Sequence, residues 1–170
     1  KYVINLNGRR DGSSRFSLGR QFGNFGSVGA AWIFSKEDFF NDLSFLSLGK
    51  LRASYGIVGG DGLGDYQYLA SFRSGSAPYQ DTPALALERL ADDSFSWTTN
   101  KKLEVALSLG FLNGRINTDV MWYRNRSGNQ LVSYPLPATA GVSSIITNLP
   151  ALVENSGIEV NIQTLNIVSD

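Results

Sequence analysis

The sequence contains neither cysteine nor histidine. Without cysteine there is no disulfide framework and no thiolate metal site, and without histidine the chain lacks the commonest general base and metal ligand at neutral pH. Arrangements such as Ser-His-Asp, Cys-His or HExxH therefore cannot form within these 170 residues. We accordingly expect no enzyme activity, no cofactor and no metal site.

An excess of charge is also missing, because 15 basic residues balance 15 acidic ones. This balance gives no support for a nucleic-acid partner. No apolar run approaches the ~18 residues that a membrane helix needs, so only strands could cross a bilayer. The opening residues, KYVINLNGRR, also lack the basic start, apolar middle and small-residue cleavage site of a signal peptide.

The sequence is rich in two-residue periodicity, most clearly in LEVALSLGFLNGRINTDVMWYR at 103–124. A two-residue Asn113–Gly114 loop accepts the positive φ angles of a type I′ turn, so Leu112 should face Arg115 in an antiparallel hairpin. One face then carries the pairs Phe111–Ile116, Leu109–Thr118, Leu107–Val120 and Val105–Trp122. The other face carries Gly110–Asn117, Ser108–Asp119, Ala106–Met121 and Glu104–Tyr123.

The apolar face of this hairpin persists for about ten residues per strand, or roughly 33 Å at ~3.3 Å per residue. A strand tilt near 40° reduces this to about 25 Å, which is the height of the apolar band on an outer-membrane barrel. A large soluble β-sandwich would show the same alternation with its apolar face buried inside the protein. From this hairpin alone, both architectures remain open.

Period-two segments recur along the chain and predict six strands, with a further candidate strand near 66–73. The connections between them alternate between long and shorter. In an up-and-down meander every second connection emerges on the same side, so the long connections should share one rim. The apolar positions of these strands are Tyr2, Ile4 and Leu6; Val28, Ala30, Trp32 and Phe34; Leu51, Ala53, Tyr55 and Ile57; and Ile158, Val160 and Ile162. The connections fall at about 11–25, 35–47, 58–96, 113–114 and 127–156.

Three further features each allow a functional and a plain structural interpretation. Aromatics near the strand ends could form interfacial girdles or fill a soluble core. GGDGLGD at 59–65 differs from a calcium-binding repeat and from a phosphate loop, which favours a flexible loop. Basic residues around the first long connection could bind an anionic ligand or a lipopolysaccharide phosphate, or could simply be solvated. The aromatics are Trp32, Phe34, Phe39, Phe40, Trp97, Trp122, Tyr123 and Tyr134, and the basic residues are Arg9, Arg10, Arg15 and Arg20.

Five stretches, in this order along nearly the whole chain, together resemble the β-barrel portion of the SusC/RagA-like TonB-linked outer-membrane receptors. The resemblance departs from the family at Trp97–Thr98, where Glu commonly follows Trp, and at 148–150, where a Gly-rich stretch is usual. The stretches are RRDGSSRF at 9–16, SVGAAWIFSKEDFF at 27–40, LGKLRASYGIVGGDGLGDYQY at 48–68, SFSWTTNKKLEVALSLGFLNGRI at 94–116 and VENSGIEVNI at 153–162.

This resemblance implies an all-β, antiparallel up-and-down meander that is part of a large transmembrane β-barrel. Residues 1–170 would be a single interior fragment of the barrel domain of a TonB-dependent receptor, with the plug domain absent. Members of the family lie in the outer membrane of Bacteroidetes and import glycans or peptides. A SusD-like surface lipoprotein covers the barrel mouth, and TonB supplies energy through the N-terminal region, which is missing here.

The expected function is therefore nutrient import through the outer membrane, with the apolar face against lipid and the polar face lining an aqueous lumen. Three loop aromatics, Tyr66, Tyr79 and Trp97, are predicted to stack on a glycan or peptide ligand. The alternative is a soluble β-sandwich that binds carbohydrate or mediates adhesion, and an enzyme that uses carboxylates alone is a third hypothesis. The residues predicted to line the lumen are Glu104, Ser108, Asn117, Asp119 and Tyr123.

Overall fold

The computed structural model describes residues 1–40, 45–75, 82 and 84–167. Within these ranges six strands form one antiparallel sheet in the order β1-β2-β3-β6-β7-β8, and β4 and β5 form a separate hairpin. Every neighbour in the large sheet follows in chain order once the small hairpin is set aside, so the predicted up-and-down meander is confirmed. The strands are β1 (Tyr2–Gly12), β2 (Phe22–Ile33), β3 (Leu46–Gly60), β4 (Ser71–Ser74), β5 (Leu85–Arg89), β6 (Thr98–Phe111), β7 (Ile116–Pro135) and β8 (Ser144–Thr164).

Helical structure in the described residues is restricted to three 3₁₀ turns, at Phe34–Lys36, Asp38–Phe40 and Ala138–Ala140. Across the same ranges, no helix has the length and apolar character needed to cross a membrane.

The β6–β7 hairpin has the predicted register, from Phe111 opposite Ile116 to Glu104 opposite Tyr123. Asn113 and Gly114 have φ angles of 55° and 82°, and the amide of Arg115 donates to the Leu112 carbonyl at 3.2 Å, as a type I′ turn requires. Leu112 itself also has a positive φ, of 53°.

Register across all six strands keeps the apolar residues on one face, called here the outer face. The opposite, polar face carries charged, amide and small residues. Outer-face side chains are exposed, with Ile4 at 74% and Ile158 at 70%. Two neighbouring outer-face rows are Ile4, Ala30, Ala53, Val105, Trp122 and Ile158, and Tyr2, Trp32, Leu51, Leu107, Val120 and Val160.

The upper edge of the apolar band, on the side of the long connections, does not follow one row of paired residues. It reaches Ile57 on β3, Leu103 on β6, Trp122 on β7 and Ile158 on β8. Ile57 pairs with Lys101, which pairs with Arg126, which in turn pairs with Glu154 on β8. The apolar band on β8, however, ends at Ile158. Its edge is therefore displaced by four residues over the three strand spacings from β3 to β8.

Strand tilt accounts for this shift. Three spacings of ~4.8 Å at a tilt near 40° require an offset of about 12 Å, or roughly four residues at ~3.3 Å each. The apolar band is therefore level when the strands are tilted as in a membrane barrel. On β6 it extends from Phe111 to Leu103, a height of about 20 Å between backbone positions.

The connections separate onto two rims, as the alternation of lengths predicted. The long-loop rim carries the connections at 13–21, 61–97 and 136–143, and the short-turn rim carries those at 34–45 and 112–115.

Two expectations about the long-loop rim were wrong in detail. Most of the segment expected to be a loop at 127–156 is strand, because β7 and β8 continue to pair beyond the apolar band, with a register shift near Asn129. The candidate strand near 66–73 begins only at Ser71, and its partner β5 was missed. Neither short strand has the long apolar alternation that distinguishes the strands of the large sheet.

The buried core of the chain lies in the loops. Phe16, Leu63 and Phe95 are 0%, 3% and 2% exposed and form one cluster. Partly buried hydrophobic residues pack against it from the β3–β6 connection and the upper parts of β7 and β8; they are Tyr68, Trp97, Leu131 and Ile146. We refer to these seven residues as the loop cluster.

Aromatic side chains line the outer face near the short-turn rim. The rings of Tyr2 and Trp32 stack at 6.2 Å, and Phe34 lies 5.6 Å from Trp32 and 5.2 Å from Phe40. A further stack joins Phe111 to Phe45 across the rim. Of the two interpretations that the sequence left open, the positions of Trp32, Phe34 and Phe40 on the outer face favour a girdle over a soluble core.

The other aromatics that were considered for a girdle have different positions. Trp122 lies at the upper edge of the outer face, Tyr123 lies on the polar face and Trp97 packs in the loop cluster. Tyr134 is exposed near the end of β7. The side chain of Phe39 lies outside the described residues.

Candidate functional site

The long-loop rim is assembled first by polar contacts between the β1–β2 and β3–β6 connections. Ser13 Oγ donates to Asp61 Oδ2 at 2.8 Å, and Arg15 Nε donates to Asp65 Oδ1 at 3.0 Å. Both carboxylates belong to the GGDGLGD stretch. Its acidic residues therefore hold this loop against the β1–β2 connection.

The basic residues of the first connection are similarly engaged with the protein. Arg15 also pairs with Asp61 at 3.6 Å, Arg20 Nη1 donates to the Ser94 carbonyl at 2.9 Å, and Arg9 pairs with Asp11 at 3.1 Å. The guanidinium of Arg10 lies 4.6 Å from the centre of the Phe22 ring. These four arginines, whose partners the sequence did not define, thus interact largely with other residues of the chain.

Trp97 is held within the loop cluster by two aromatic rings. Its ring centroid lies 5.3 Å from Phe16 and 5.4 Å from Phe25, and its Nε1 is buried without a hydrogen-bond partner in the described part of the chain. Phe25 packs closely over Gly59, where a Cβ atom would collide with its ring. This packing needs glycine at that point of β3, because no side chain fits beneath the ring.

The extension of β7 and β8 is tied to the same unit by two asparagines. Asn148 accepts from the Ser96 amide at 2.9 Å and donates to the Ser96 carbonyl at 3.0 Å and the Asn129 carbonyl at 2.9 Å. Asn129 Nδ2 donates to Ser96 Oγ at 2.7 Å and to the Trp97 carbonyl at 2.9 Å. The side-chain amide of Asn148 thereby links β8 to β7 and to the segment that precedes β6.

A cleft of about 310 Å³ opens beside the loop cluster, between the β4–β5 hairpin and the start of β8. Its size is at the lower end for small-ligand sites, which run from about 300 to 1,000 Å³. Apolar and polar side chains share its lining, so it offers both a contact surface for a ring and hydrogen-bonding groups. The lining residues are Gln67, Glu88, Arg89, Leu90, Ala91, Asp92, Phe95, Ser144, Ile145 and Ile146.

Sequence reasoning missed this cleft, because its residues come from two distant segments without a motif. Of the predicted contact residues, Tyr66 lies next to Gln67 of the lining, and its side chain is 67% exposed. Its backbone has a φ of 57°, and its carbonyl accepts from Arg89 Nη2 at 3.3 Å. Trp97 is half-buried in the loop cluster, and Tyr79 lies outside the described residues.

The polar face forms the second candidate surface. A cavity of about 160 Å³ lies over its middle, where small residues form the floor and Arg52, Glu104 and Met121 are among the walls. Ser108 Oγ donates to Asp119 across the β6–β7 pair, and Asn117 Nδ2 donates to the Gly114 carbonyl at 2.8 Å. Every residue predicted for the lumen therefore lies on this one face.

The described ranges contain no group of three or more acidic, histidine or cysteine side chains that could hold a metal ion. The carboxylates of the long-loop rim instead accept hydrogen bonds from Ser13 and Arg15.

The family model for the TonB dependent receptor-like β-barrel matches residues 1–168. The chain belongs to this family. Curated relatives include TonB-dependent receptor P3 of Formosa agariphila, which is 35% identical over 99% of the chain. TonB-dependent receptor SusC of Bacteroides thetaiotaomicron is 30% identical, again over 99% of the chain. The chain spans 17% of the length of each of these two proteins.

Solved barrels of this family share the fold. The RagAB peptide importer in its closed-closed state matches 99% of the chain with a TM-score of 0.88 at 23% identity, over 18% of that chain's length. Its open-open state matches 95% of the chain with a TM-score of 0.83 at 25% identity, over 17% of that chain's length.

The family membership and the exposed outer face both argue against the soluble β-sandwich. A sandwich buries its apolar face under a second sheet. In the described residues the only other sheet is the small β4–β5 hairpin, and Ile4 and Ile158 remain exposed.

Proposed function

We propose that this chain forms part of the wall and the external loops of a receptor that imports a nutrient through the outer membrane with energy from TonB. The observation that carries the proposal is the apolar outer face, which stays in register over six strands and is level only when the strands tilt. An aqueous exterior would make so large an exposed apolar surface unfavourable, whereas bilayer hydrocarbon matches it.

In this proposal the polar face lines the lumen and the long-loop rim lies outside the cell. The chain acts by binding and passage of cargo, so no covalent step and no cofactor is needed. The 170 residues are one segment of the barrel domain, and the other strands and the plug belong to the rest of the protein. A SusD-like lipoprotein would cover the mouth, and TonB would act through the N-terminal region.

The cargo is proposed to be a glycan or a peptide, the two classes carried by the SusC/RagA-like family. The exposed ring of Tyr66 and the mixed lining of the nearby cleft support either, since aromatic faces pack on sugar rings and on peptide side chains. Tyr79 is retained as a proposed contact. For Trp97, whose ring packs against Phe16 and Phe25, a contact would need that packing to open.

The orientation of the sheet can be tested by cysteine labelling of the full-length protein in intact outer membranes. This segment has no cysteine, so a single substitution labels one known position once any cysteine elsewhere in the receptor has been replaced by serine. Val120→Cys and Leu107→Cys on the outer face should resist a water-soluble maleimide, because lipid excludes the reagent. Asp119→Cys and Ser108→Cys, each one residue away on the polar face, should be labelled.

Equal labelling of Val120→Cys and Asp119→Cys would overturn the membrane orientation. Protection of Asp119→Cys with labelling of Val120→Cys would reverse it. A heat-dependent shift of the folded band on a denaturing gel is the control that each variant forms the barrel.

The class of cargo can be tested by uptake. Cells that lack the receptor should lose uptake of either a glycan or a peptide mixture and regain it with the wild-type gene. Tyr66→Ala should lower uptake of that cargo, whereas Tyr134→Ala, a similarly exposed tyrosine on β7, should not. Unchanged uptake in Tyr66→Ala would remove this residue from the proposed contacts.

A further inference from the structure

The apolar outer face ends abruptly in a basic cluster on β6 and β7. Lys101 is paired with Arg126, which is paired with Glu154 on β8. In the neighbouring outer-face row, Leu103 is paired with Arg124, which is paired with Ser156. We call Lys101, Arg124 and Arg126 the band-edge cluster.

The position of the cluster relative to the bilayer follows from the strand geometry. Arg124 and Arg126 are two and four residues beyond Trp122 and share its face. At ~3.3 Å per residue and a tilt near 40°, they lie about 5 and 10 Å above the tryptophan. The headgroup layer of each leaflet is about 5–8 Å thick, so the backbone of Arg124 lies at headgroup height and that of Arg126 just above it, within reach of the layer along its side chain.

The cluster carries more positive charge than the protein neutralises. Its only anionic partner in the described residues is Glu154, whose Oε2 accepts from Arg126 Nε at 2.6 Å and lies 3.9 Å from Arg124 Nε. Both contacts use the Nε atoms. The Nη groups of the two arginines and the Nζ of Lys101 make no hydrogen bond or ion pair with the described protein.

The arginines of the first connection provide a useful contrast. Arg15 has two carboxylate partners in the β3–β6 connection, and Arg20 donates to the Ser94 carbonyl of the same connection. Their charge serves to join loops. The band-edge cluster keeps three cations beside one carboxylate, on the face where the neighbour of the protein would be lipid.

We propose that the band-edge cluster binds a phosphate group carried by a lipid of the outer leaflet. This inference rests on the proposed function, because it needs the outer face to meet the membrane. Guanidinium groups bind phosphate oxygens through paired N–H donors, and an ammonium adds a point charge. Glu154 holds the Nε edges of the arginines, which leaves their outer nitrogens for the phosphate. The hydroxyl of Ser156, paired with Arg124, is a further donor.

The test uses the purified full-length receptor in detergent, with phosphorylated lipid A as the probe. Native mass spectrometry should detect the lipid on the wild-type protein. The double variant Arg124→Gln/Arg126→Gln should bind it about thirtyfold more weakly, because two surface cations are lost. Lys102→Gln is the matched control, since Lys102 follows Lys101 directly but lies on the polar face; its affinity should equal that of the wild type.

The form of the ligand is tested in two further arms. Dephosphorylated lipid A should bind the wild type no better than phosphorylated lipid A binds the double variant. Inorganic phosphate at the same concentration should not displace the lipid. Displacement by inorganic phosphate would mean a site for free phosphate and would overturn the proposal of a lipid ligand, as would equal loss of binding in Lys102→Gln.

The charge-preserving variant Arg124→Lys/Arg126→Lys guards against misfolding, and it should retain most of the binding because lysine also binds phosphate. Loss of binding in this variant, with the folded band intact on a gel, would contradict a charge-based site.

Protection of Val120→Cys from maleimide, together with absence of lipid binding, would overturn this inference alone. Labelling of Val120→Cys would overturn the proposed function as well.

Discussion

The loop cluster and the outer face use similar side chains in opposite ways. Phe16 and Phe95 in the loops are almost fully buried, whereas Ile4, Val160 and Ile158 in the sheet are exposed. A soluble protein has the reverse arrangement, with its core beneath the sheet and its loops in water. In this chain the aromatic residues are most deeply buried in the connections.

In the proposed orientation, this difference follows from the solvent that each region meets. The long-loop rim meets water, so its apolar rings associate with one another and release water from their surfaces. The outer face meets hydrocarbon in the proposed orientation, where an exposed isoleucine has no reason to be covered by protein. The loops consequently need their own packed core and hydrogen bonds, while the strands depend on backbone pairing with their neighbours.

The largest effect is expected when a buried side chain is removed from the loop cluster. Phe95→Ala should destabilise the long-loop rim by about 3–5 kcal/mol, because it removes a buried ring and leaves a cavity. Limited proteolysis of the full-length receptor should show faster cleavage in the connections 13–21 and 61–97. Phe72→Ala is the control, since this exposed phenylalanine on β4 should cost under ~1 kcal/mol. Equal protease sensitivity of the two variants would contradict a buried loop core.

A charge on the outer face should have the next largest effect. Val160→Lys places an ammonium within the apolar band and should cost about 2–4 kcal/mol, as for lysine near the midplane of a membrane barrel. Asn161→Lys, one residue away on the polar face, should be nearly neutral. Urea titration of the refolded full-length barrel in lipid vesicles measures both. A larger cost for Asn161→Lys would mean that the faces are assigned the wrong way round.

Removal of the Asn148 side-chain amide should lower stability by a smaller amount, and the effect should be confined to the loops. Asn148→Ala deletes three hydrogen bonds and leaves the Ser96 amide and carbonyl without these partners, at a cost of about 1–3 kcal/mol. Hydrogen exchange should increase at Ser96 and Asn129 and not in the centre of β6. Asn155→Ala, an exposed residue lower on β8, serves as the control, and similar exchange in both variants would argue against the fastening role.

The smallest effect is expected at the edge of the apolar band. Glu154→Gln removes the carboxylate that pairs with Arg126, but the side chains involved are more than a third exposed. Solvent screens such exposed pairs, so they contribute little to stability. Urea midpoints of wild type and variant should therefore agree closely and converge further at high salt. A clearly lower urea midpoint for the variant at high salt would show that the pair is structural.

Much of the large sheet was predictable because its rules are local. Asn113–Gly114 defined the register of the β6–β7 hairpin, and two-residue alternation placed Leu107 and Asp119 on opposite faces. The alternation of connection lengths then placed the long loops on one rim. The resemblance to the SusC/RagA-like family, carried by five short stretches, led to the family that the comparisons show.

The candidate site was less predictable, since its residues come together only through long-range contacts. Tyr66 and Trp97 were both predicted as contacts because they are loop aromatics, but Tyr66 is exposed next to the cleft whereas Trp97 packs against Phe16. The cleft joins Gln67 and Phe95 to Ile146, which no spacing connects. The extension of β7 and β8 was missed because its residues lack the long alternation of the apolar band.

The sequence by itself determined which side chains share a face and where the apolar band begins and ends, because strand geometry has a strict period of two and tight turns accept few residue types. Only the tertiary structure decided that the loops form a packed unit, that Asn148 fastens it, and that Lys101 and Arg126 stand side by side. Those outcomes depend on contacts between segments far apart in the chain, whose free energies are realised only after the strands have been brought into register.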